Sequence, residues 1–233
     1  MKFTAEGPLA VPLWIEGHPY VTVGEGLLDV TDPATGAVLR RVPLGGADEA
    51  ARATAAAVAA ALAWVGRGPA ERRTCLSALG EALAGLASHF AGLVAAETGW
   101  GPEAAAAEVA AAVAALDNPP AGGETGVSVV VADATAPLRG LVQGAAAALA
   151  AGGTVVLKPS PRAPAAAYAL CELSARAAWP PGILNLVHGD EAALEGLCAQ
   201  AAVGRVEFRG EAALADRIAA IAARHGKVLV RAA

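Results

Sequence analysis

The sequence predicts an α/β protein with a Rossmann-like, doubly wound parallel sheet, preceded by an N-terminal β-hairpin and helices. In the second half of the 233-residue chain, short continuous apolar runs rich in valine alternate with longer helical stretches. In the first half, turn signals and then alanine-rich helical stretches come before that pattern. Continuous apolar strands between helices are typical of a parallel sheet covered on both faces, and right-handed crossovers wind it in both directions.

The first part, residues 1–118, is predicted to hold hairpins and helices. The run "LWIEGHPYVTV" indicates a hairpin that turns at Glu16-Gly17, and "LLDVTDPATGAVLRRVPL" indicates a second that turns between Pro33 and Gly36. Apolar residues at helical spacing follow. The predicted helices begin at Ala47, Pro69 and Pro102, the second running to Thr98 with a break near Gly85 or Ser88.

The second part, residues 127–233, carries the predicted parallel sheet and follows a loop over 117–126. The predicted strands cover 127–132, 154–158, 182–189, 205–210 and 227–231. The predicted helices cover 138–152, 163–178, 191–200 and 211–226. We expect both parts to form one scaffold over 1–233.

Composition excludes several classes of function. The net charge is −5 and no basic run is present, so neither nucleic acid nor an anionic membrane is an expected partner. The N-terminus lacks the apolar stretch of a signal peptide, and we expect a cytoplasmic protein. The cysteines and histidines lack metal-ligand spacing, so no metal is expected. The cysteines are assigned to the core, and the histidines to surface or cap positions. They are Cys75, Cys171, Cys198, His18, His89, His188 and His225.

Ligands of such sheets bind beyond the carboxyl ends of the strands, which makes the residues after each strand the candidates. No G-x-G-x-x-G follows the first strand of the sheet, and neither a P-loop nor a G-x-S-x-G motif occurs. The candidate segments are 133–137, 158–162, 188–190 and 209–211.

Two charged residues in these segments have both a functional and a structural interpretation. Lys158 could bind the hydroxyls or phosphates of a ligand, although spacing alone favours a lysine whose ammonium reaches solvent at a strand end. Glu211 opens a helix directly after a strand, where a phosphate could bind. Its carboxylate would satisfy the positive helix end and repel a pyrophosphate, so a helix cap is the stronger interpretation.

Several motifs together resemble the N-terminal, cofactor-binding half of the aldehyde dehydrogenase superfamily. They are "LLDVTDPATGAVLRRVPLGG", the "ETG" of Glu97 to Gly99, "ALAAGGTVVLKPSPRAP" and "PPGILNLVHGD". The resemblance runs from about Leu13 to Arg231 and implies an NAD(P)-binding domain of Rossmann type. It implies that Lys158 matches a lysine that holds the adenosine ribose, with Ser160 beside it in the LKPS stretch. Gly210 and Glu211 match the segment that lies under the pyrophosphate.

The departures from the family concern its catalytic groups. Family members are about twice as long, and a second domain supplies the cysteine nucleophile, for which the three cysteines here occupy no matching position. The family's general-base glutamate aligns with Arg231. Its Trp-Asn-Phe-Pro stretch, whose asparagine donates to the oxyanion, aligns with 134–137, and its Gly-Ser aligns with Gly210-Glu211. The family's oligomerisation hairpin before Val127 is reduced to the loop "NPPAGGETG".

These losses predict a chain without catalytic residues that is not an enzyme on its own. The first hypothesis is a structural or regulatory subunit that associates with itself, with an active aldehyde dehydrogenase or with another enzyme of its pathway. Under this hypothesis no cofactor is expected, and NAD or NADP is bound weakly at most. Lys158, Ser160 and Gly210 would then be vestigial cofactor residues. The second is the NAD(P)-binding subunit of a split aldehyde dehydrogenase whose cysteine lies on another chain. An independent small hydrolase has little support, because no nucleophile–base pair is visible.

Overall fold

The computed structural model describes residues 9–22 and 26–231. The strands are β1 (Leu13–Ile15), β2 (His18–Tyr20), β3 (Leu27–Thr31), β4 (Val38–Pro43), β5 (Val127–Ala132), β6 (Thr154–Lys158), β7 (Leu184–Leu186), β8 (Val203–Arg209) and β9 (Val228–Arg231). The helices are α1 (Ala47–Gly66), α2 (Gly68–Gly85), α3 (Ala87–Thr98), α4 (Pro102–Asp117), α5 (Arg139–Ala151), α6 (Ala165–Arg176), α7 (Glu191–Ala199) and α8 (Ala212–Arg224).

The main sheet has seven strands in the order β2-β1-β7-β6-β5-β8-β9. Strands β5 to β9 are parallel, which confirms the predicted α/β class with a Rossmann-like sheet. The chain runs outward from β5 through β6 to β7 and then crosses back to place β8 on the other side of β5. The winding direction therefore reverses between β5 and β8, and this topological switch point is where a sheet of this kind leaves a crevice for ligands.

The first predicted hairpin forms and joins the main sheet. Glu16 and Gly17 both have positive φ, at 56° and 77°, as a two-residue hairpin turn of the primed type requires. Strand β1 then pairs antiparallel with β7 through Trp14 and Leu186. The second hairpin, β3–β4, forms a separate two-stranded sheet. The turns were predictable from local sequence, whereas the place of each hairpin depends on partners distant in the chain.

Helices cover both faces of the main sheet. Apolar residues of α4, α5 and α6 pack on one face, with Val130, Leu157 and Leu186 of the strands. Residues of α1, α7 and α8 pack on the other, with Val129, Val156 and Phe208. Helix α5 lies close to β5 because Gly144 has no side chain: a Cβ there would lie 2.7 Å from a methyl carbon of Val130.

Several predicted boundaries shift. The long helix predicted from Pro69 to Thr98 breaks at the expected place, because α2 ends at Gly85 and α3 leaves it at 74°. The strand predicted over 182–189 is regular only in β7, since Gly182 and Gly189, with φ of 85° and 134°, turn the chain at both ends. In the described ranges no single helix is long and apolar enough to cross a membrane, and only the bent pair α2–α3 meets that test of length and composition.

Candidate functional site

The carboxylate of Asp133 bridges the crevice at the switch point. Asp133 directly follows β5, and Gly210 and Glu211 directly follow β8. Its Oδ2 accepts a hydrogen bond of 2.7 Å from the backbone N–H of Glu211, and its backbone N–H donates to the carbonyl of Arg209 at 3.2 Å. Its Oδ1 accepts from the backbone N–H and the hydroxyl of Thr135, at 2.8 and 2.6 Å. Both carboxylate oxygens are thus bound within the protein, and the residue is only 9% exposed.

The close approach of Asp133 requires glycine at position 210. Gly210 has a φ of 152°, and a Cβ there would lie 2.2 Å from Oδ2 of Asp133. A side chain at this position would push the carboxylate away from the N–H of Glu211. Gly210, one of the three residues predicted for cofactor binding, therefore contacts a carboxylate of its own chain.

The predicted capping role of the Glu211 carboxylate is wrong. Glu211 does occupy the N-cap position of α8, but its exposed side chain makes no capping hydrogen bond. Asp133 supplies the carboxylate instead, because it lies across the crevice from the N–H of Glu211. A carboxylate at this helix end was therefore predicted correctly, but it belongs to Asp133 and not to Glu211.

The ammonium of Lys158 does not reach solvent, contrary to the interpretation that spacing favours. Lys158 is 6% exposed, and its Nζ donates to the carbonyl of Gly189 at 2.6 Å and to that of Pro159 at 3.4 Å. Burial lowers the pKa of Lys158 to about 8, and the nearby charge of Asp190 opposes that shift. Lys158 thus ties the end of β6 to the loop that follows β7.

Ser160, the third predicted cofactor residue, also forms internal contacts. It is 8% exposed, and its hydroxyl accepts a hydrogen bond of 3.2 Å from the backbone N–H of Arg162. This bond holds the turn between β6 and α6. Lys158, Ser160 and Gly210 lie at the carboxyl edge of the sheet, where the Lys158 ammonium and the Ser160 hydroxyl make hydrogen bonds within the protein.

His188 is a buried neutral histidine, so its predicted surface or cap position is wrong. It is 1% exposed, and its Nε2 lies 3.0 Å from the carbonyl of Pro12. Since a carbonyl only accepts, Nε2 carries the proton in the neutral ring. Burial lowers the pKa of His188 to about 3, the hydrogen bond to Pro12 opposes this shift, and the charge of Lys158 adds to it. The side chain lies under the N-terminal segment, which the local sequence could not indicate.

Carboxylates of the chain bind the N-termini of all four helices that follow β5 in the described ranges. Glu108 on α4 accepts from the backbone N–H groups of Leu138 and Arg139, at 3.1 and 2.7 Å, where α5 begins. Glu97 on α3 accepts from Ala165 at 3.0 Å, where α6 begins. Asp190 caps α7 and Asp133 reaches α8. These helix ends carry partial positive charge, and carboxylates of the same chain accept hydrogen bonds from their backbone N–H groups.

Glu97 also connects this helix end to the second hairpin. Its other oxygen lies 2.9 Å from Nε of Arg40 on β4. Burial raises the pKa of Glu97 to about 7, while the hydrogen bond from Ala165 and the charge of Arg40 oppose the shift. The "ETG" motif, read in the sequence only as a mark of family resemblance, thus has a structural function in this chain.

The cysteines are not arranged as nucleophiles. Cys171 and Cys198 are buried as predicted, and burial raises the pKa of both thiols, that of Cys198 to about 11. Cys75 packs against the edge of the core but is only half-buried, not buried as predicted, and its Sγ accepts a weak hydrogen bond from Arg67. Residues 9–22 and 26–231 contain no group of three or more histidine, cysteine or acidic side chains that could hold a metal ion.

This doubly wound sheet with its switch-point crevice belongs to the nucleotide-binding class of α/β folds. The model of the aldehyde dehydrogenase family matches residues 20–121 and 125–231, and the chain belongs to that family.

Relatives with known activities match over most of the chain. It is 30% identical to malonate-semialdehyde dehydrogenase of Pseudomonas aeruginosa, over 85% of this chain and 44% of that protein. It is 28% identical to lactaldehyde dehydrogenase of Escherichia coli, over 94% of this chain and 50% of that protein. The chain thus spans about half the length of the curated relatives it matches.

Solved structures of dehydrogenases have the same fold. Lactaldehyde dehydrogenase from Escherichia coli superimposes with a TM-score of 0.90 and 26% identity, covering 97% of this chain and 52% of that one. A variant of aldehyde dehydrogenase C from Pseudomonas syringae, in complex with NAD+ and octanal, superimposes with a TM-score of 0.84 and 27% identity. That match covers 94% of this chain and 49% of that one.

The residues at the switch point do not fit the dinucleotide that the family implies. A pyrophosphate at a helix N-terminus needs backbone N–H groups that are free to donate to it. Here the N–H of Glu211 already donates to Asp133, and the exposed Glu211 side chain adds a second negative group at the same helix end. Two carboxylates thus lie at the segment that the resemblance matches to the pyrophosphate of the cofactor.

Proposed function

We propose that this chain is a catalytically inactive aldehyde-dehydrogenase-like subunit, structural or regulatory, that acts by association with itself or with an active enzyme partner. One observation carries the proposal: the contact between Asp133 and Glu211 bridges the crevice in which the family binds its cofactor. A scaffold of this family that binds no dinucleotide has no oxidant for an aldehyde. We expect it to act in the cytoplasm.

The residues aligned with the family's catalytic groups support the same proposal. Thr135 stands at the oxyanion-donor position, and its hydroxyl donates to Asp133 instead. Losing such a donor typically removes about 3 kcal/mol of transition-state stabilisation. Arg231 stands at the general-base position, where a guanidinium cannot accept a proton at neutral pH, and it pairs with Asp216 at 2.6 Å.

An exposed strand edge offers a surface for association. Strand β9 is the last strand of the main sheet in the described ranges, and its Val228 is 68% exposed. The outer edge of such a strand can pair with a strand of another chain. A second apolar surface lies on α1, where Val58, Leu62 and Val65 are exposed at helical spacing, with Leu62 82% exposed. Exposed apolar patches of this kind mark partner sites.

The proposal is tested by analytical ultracentrifugation of the purified chain, alone and mixed with a full-length aldehyde dehydrogenase from the same organism. We expect a homo-oligomer or a mixed complex that Val228→Lys disrupts, since a charge on the β9 edge opposes strand pairing. Leu27→Lys, an equally drastic change at an exposed leucine of the separate β3–β4 sheet, is the matched control and should leave the complex intact. A monomer that forms no complex and leaves the rate of the full-length enzyme unchanged would contradict the proposal.

The competing function, an NAD(P)-binding subunit of a split enzyme, draws support from Lys158. This lysine is retained at the strand-to-helix corner, at the position that the resemblance matches to the lysine holding the adenosine ribose. Calorimetric titration with NAD+ and NADP+ separates the two functions. Micromolar binding that Lys158→Ala abolishes would favour the split enzyme over the non-catalytic subunit.

A further inference from the structure

We infer that Asp133 is the residue that excludes the dinucleotide from this scaffold: its carboxylate takes the place of the cofactor phosphate at the start of α8. The inference deepens the proposed function and rests on it only for the expectation that no cofactor is bound. It assigns the direct block to one identified side chain, with the charge of Glu211 adding to it, and not to gradual decay of the fold.

The position of Asp133 follows from the topology of the sheet. Where the connections that follow two neighbouring strands run in opposite directions, a gap opens between the carboxyl ends of those strands. In this sheet the gap lies between β5 and β8. Hydrogen bonds close it from both sides: Asp133 donates to Arg209 through its backbone and accepts from Glu211 through Oδ2. To accept a hydrogen bond from the Glu211 N–H, a phosphate oxygen would have to displace this carboxylate.

The backbone around the gap is otherwise suited to an anion. Glu211 has an extended conformation, and α8 continues from it for 13 residues, so the helix end is a regular one. Gly210 leaves room for an oxygen beside the N–H, and the oxygen that fills this room belongs to Asp133. The group that occupies the site is itself an anion that accepts the same hydrogen bond. Removing it should therefore expose a functional anion site.

Electrostatics add to the exclusion. At neutral pH a pyrophosphate would meet the carboxylates of Asp133 and Glu211 at one helix end, and like charges at short range oppose binding. Asp133 is largely buried, which weakens the screening of its charge by solvent. Both carboxylates must therefore be removed to recover binding fully, and Asp133 contributes the direct block.

The test is isothermal titration calorimetry with NAD+ and with ADP on the full chain and three variants. We expect no saturable binding to the wild type at millimolar ligand, and binding at least about 10-fold tighter for the double variant Asp133→Ala/Glu211→Ser. Asp133→Asn, which preserves the size of the side chain, should gain less. Asp216→Ala removes a charge from the exposed side of the same helix and should behave as the wild type.

Two results would overturn the inference. One is wild-type binding of NAD+ with an affinity equal to that of the double variant. The other is a double variant that is folded, by its circular dichroism melt, and binds ADP no better than the wild type. If the double variant does not fold, a fourth variant, Asp133→Ala, decides: saturable ADP binding by the folded protein supports the inference and its absence rejects it. Sedimentation of the same variants keeps the proposals separate, since association at the β9 edge should not depend on Asp133.

Discussion

Buried charges are concentrated at the carboxyl edge of the sheet, where an enzyme of this fold would bind its ligand. Lys158 is the clearest case, because its ammonium is enclosed and donates to two backbone carbonyls. A charged ammonium in such a site is costly unless its partners compensate. The pKa of Lys158, lowered to about 8, reflects this cost.

The stability of the protein should therefore depend on pH through Lys158. The unfolded chain holds the proton of this lysine up to about 10.5 and the folded protein releases it near 8, so the free energy of unfolding rises between these values. Substitution Lys158→Met removes that rise, and the difference in stability between the two proteins should change by about 3 kcal/mol across this window. Urea denaturation of both proteins at several pH values measures it. Parallel stability curves would show that Lys158 has an ordinary pKa.

At the scale of elements, three of the four helices of the second part in the described ranges, α5, α6 and α8, begin on carboxylates that come from other segments. Glu108 links α4 to α5 and Glu97 links α3 to α6, so the helical first part is fastened to the sheet by buried hydrogen bonds as well as by apolar packing. Both glutamates are almost completely buried. These connections join the two parts of the chain across the face of the sheet.

Substitution Glu108→Ala should destabilise the protein by about 3 kcal/mol, because it leaves the buried N–H of Leu138 and the partly buried N–H of Arg139 without their acceptor. Glu103→Ala is the matched control: it changes an exposed glutamate on the same helix and should cost at most about 0.5 kcal/mol. Thermal melts of both variants provide the comparison. Equal losses in the two variants would mean that the buried bonds contribute nothing beyond helix propensity.

The helices and strands themselves were largely predictable, because the spacing of apolar residues, the turn residues and the glycines that end helices are all local signals. The two parts of the chain, the break near Gly85 and the order of strands and helices follow from such signals. The site was less predictable. The contact of Asp133 with Glu211 joins residues 78 positions apart, and no local pattern encodes it. Glu108 gave a weak signal, as a single charge within a run of alanines and valines, and such a charge is either exposed or bound to a buried partner.

At the scale of the whole molecule, the two edges of the main sheet differ. At one end the β1–β2 hairpin pairs antiparallel with β7 and makes the short strand β2 the edge, whereas the parallel strand β9 forms the other edge and exposes Val228. The switch-point crevice lies between them and is bridged by the protein's own carboxylate. The molecule therefore combines a crevice bridged by its own carboxylate with an exposed strand edge, the two features on which the proposed function rests.

The most direct test of this account is an NMR titration of the 15N-labelled wild-type protein with NAD+, following the backbone amide signal of Glu211. We predict that this signal does not move at millimolar NAD+, because its N–H already donates to Asp133. In Asp133→Ala/Glu211→Ser the amide at position 211 should shift and saturate. A saturable shift of the Glu211 amide in the wild-type protein would show that the crevice admits the dinucleotide and would contradict the central claim.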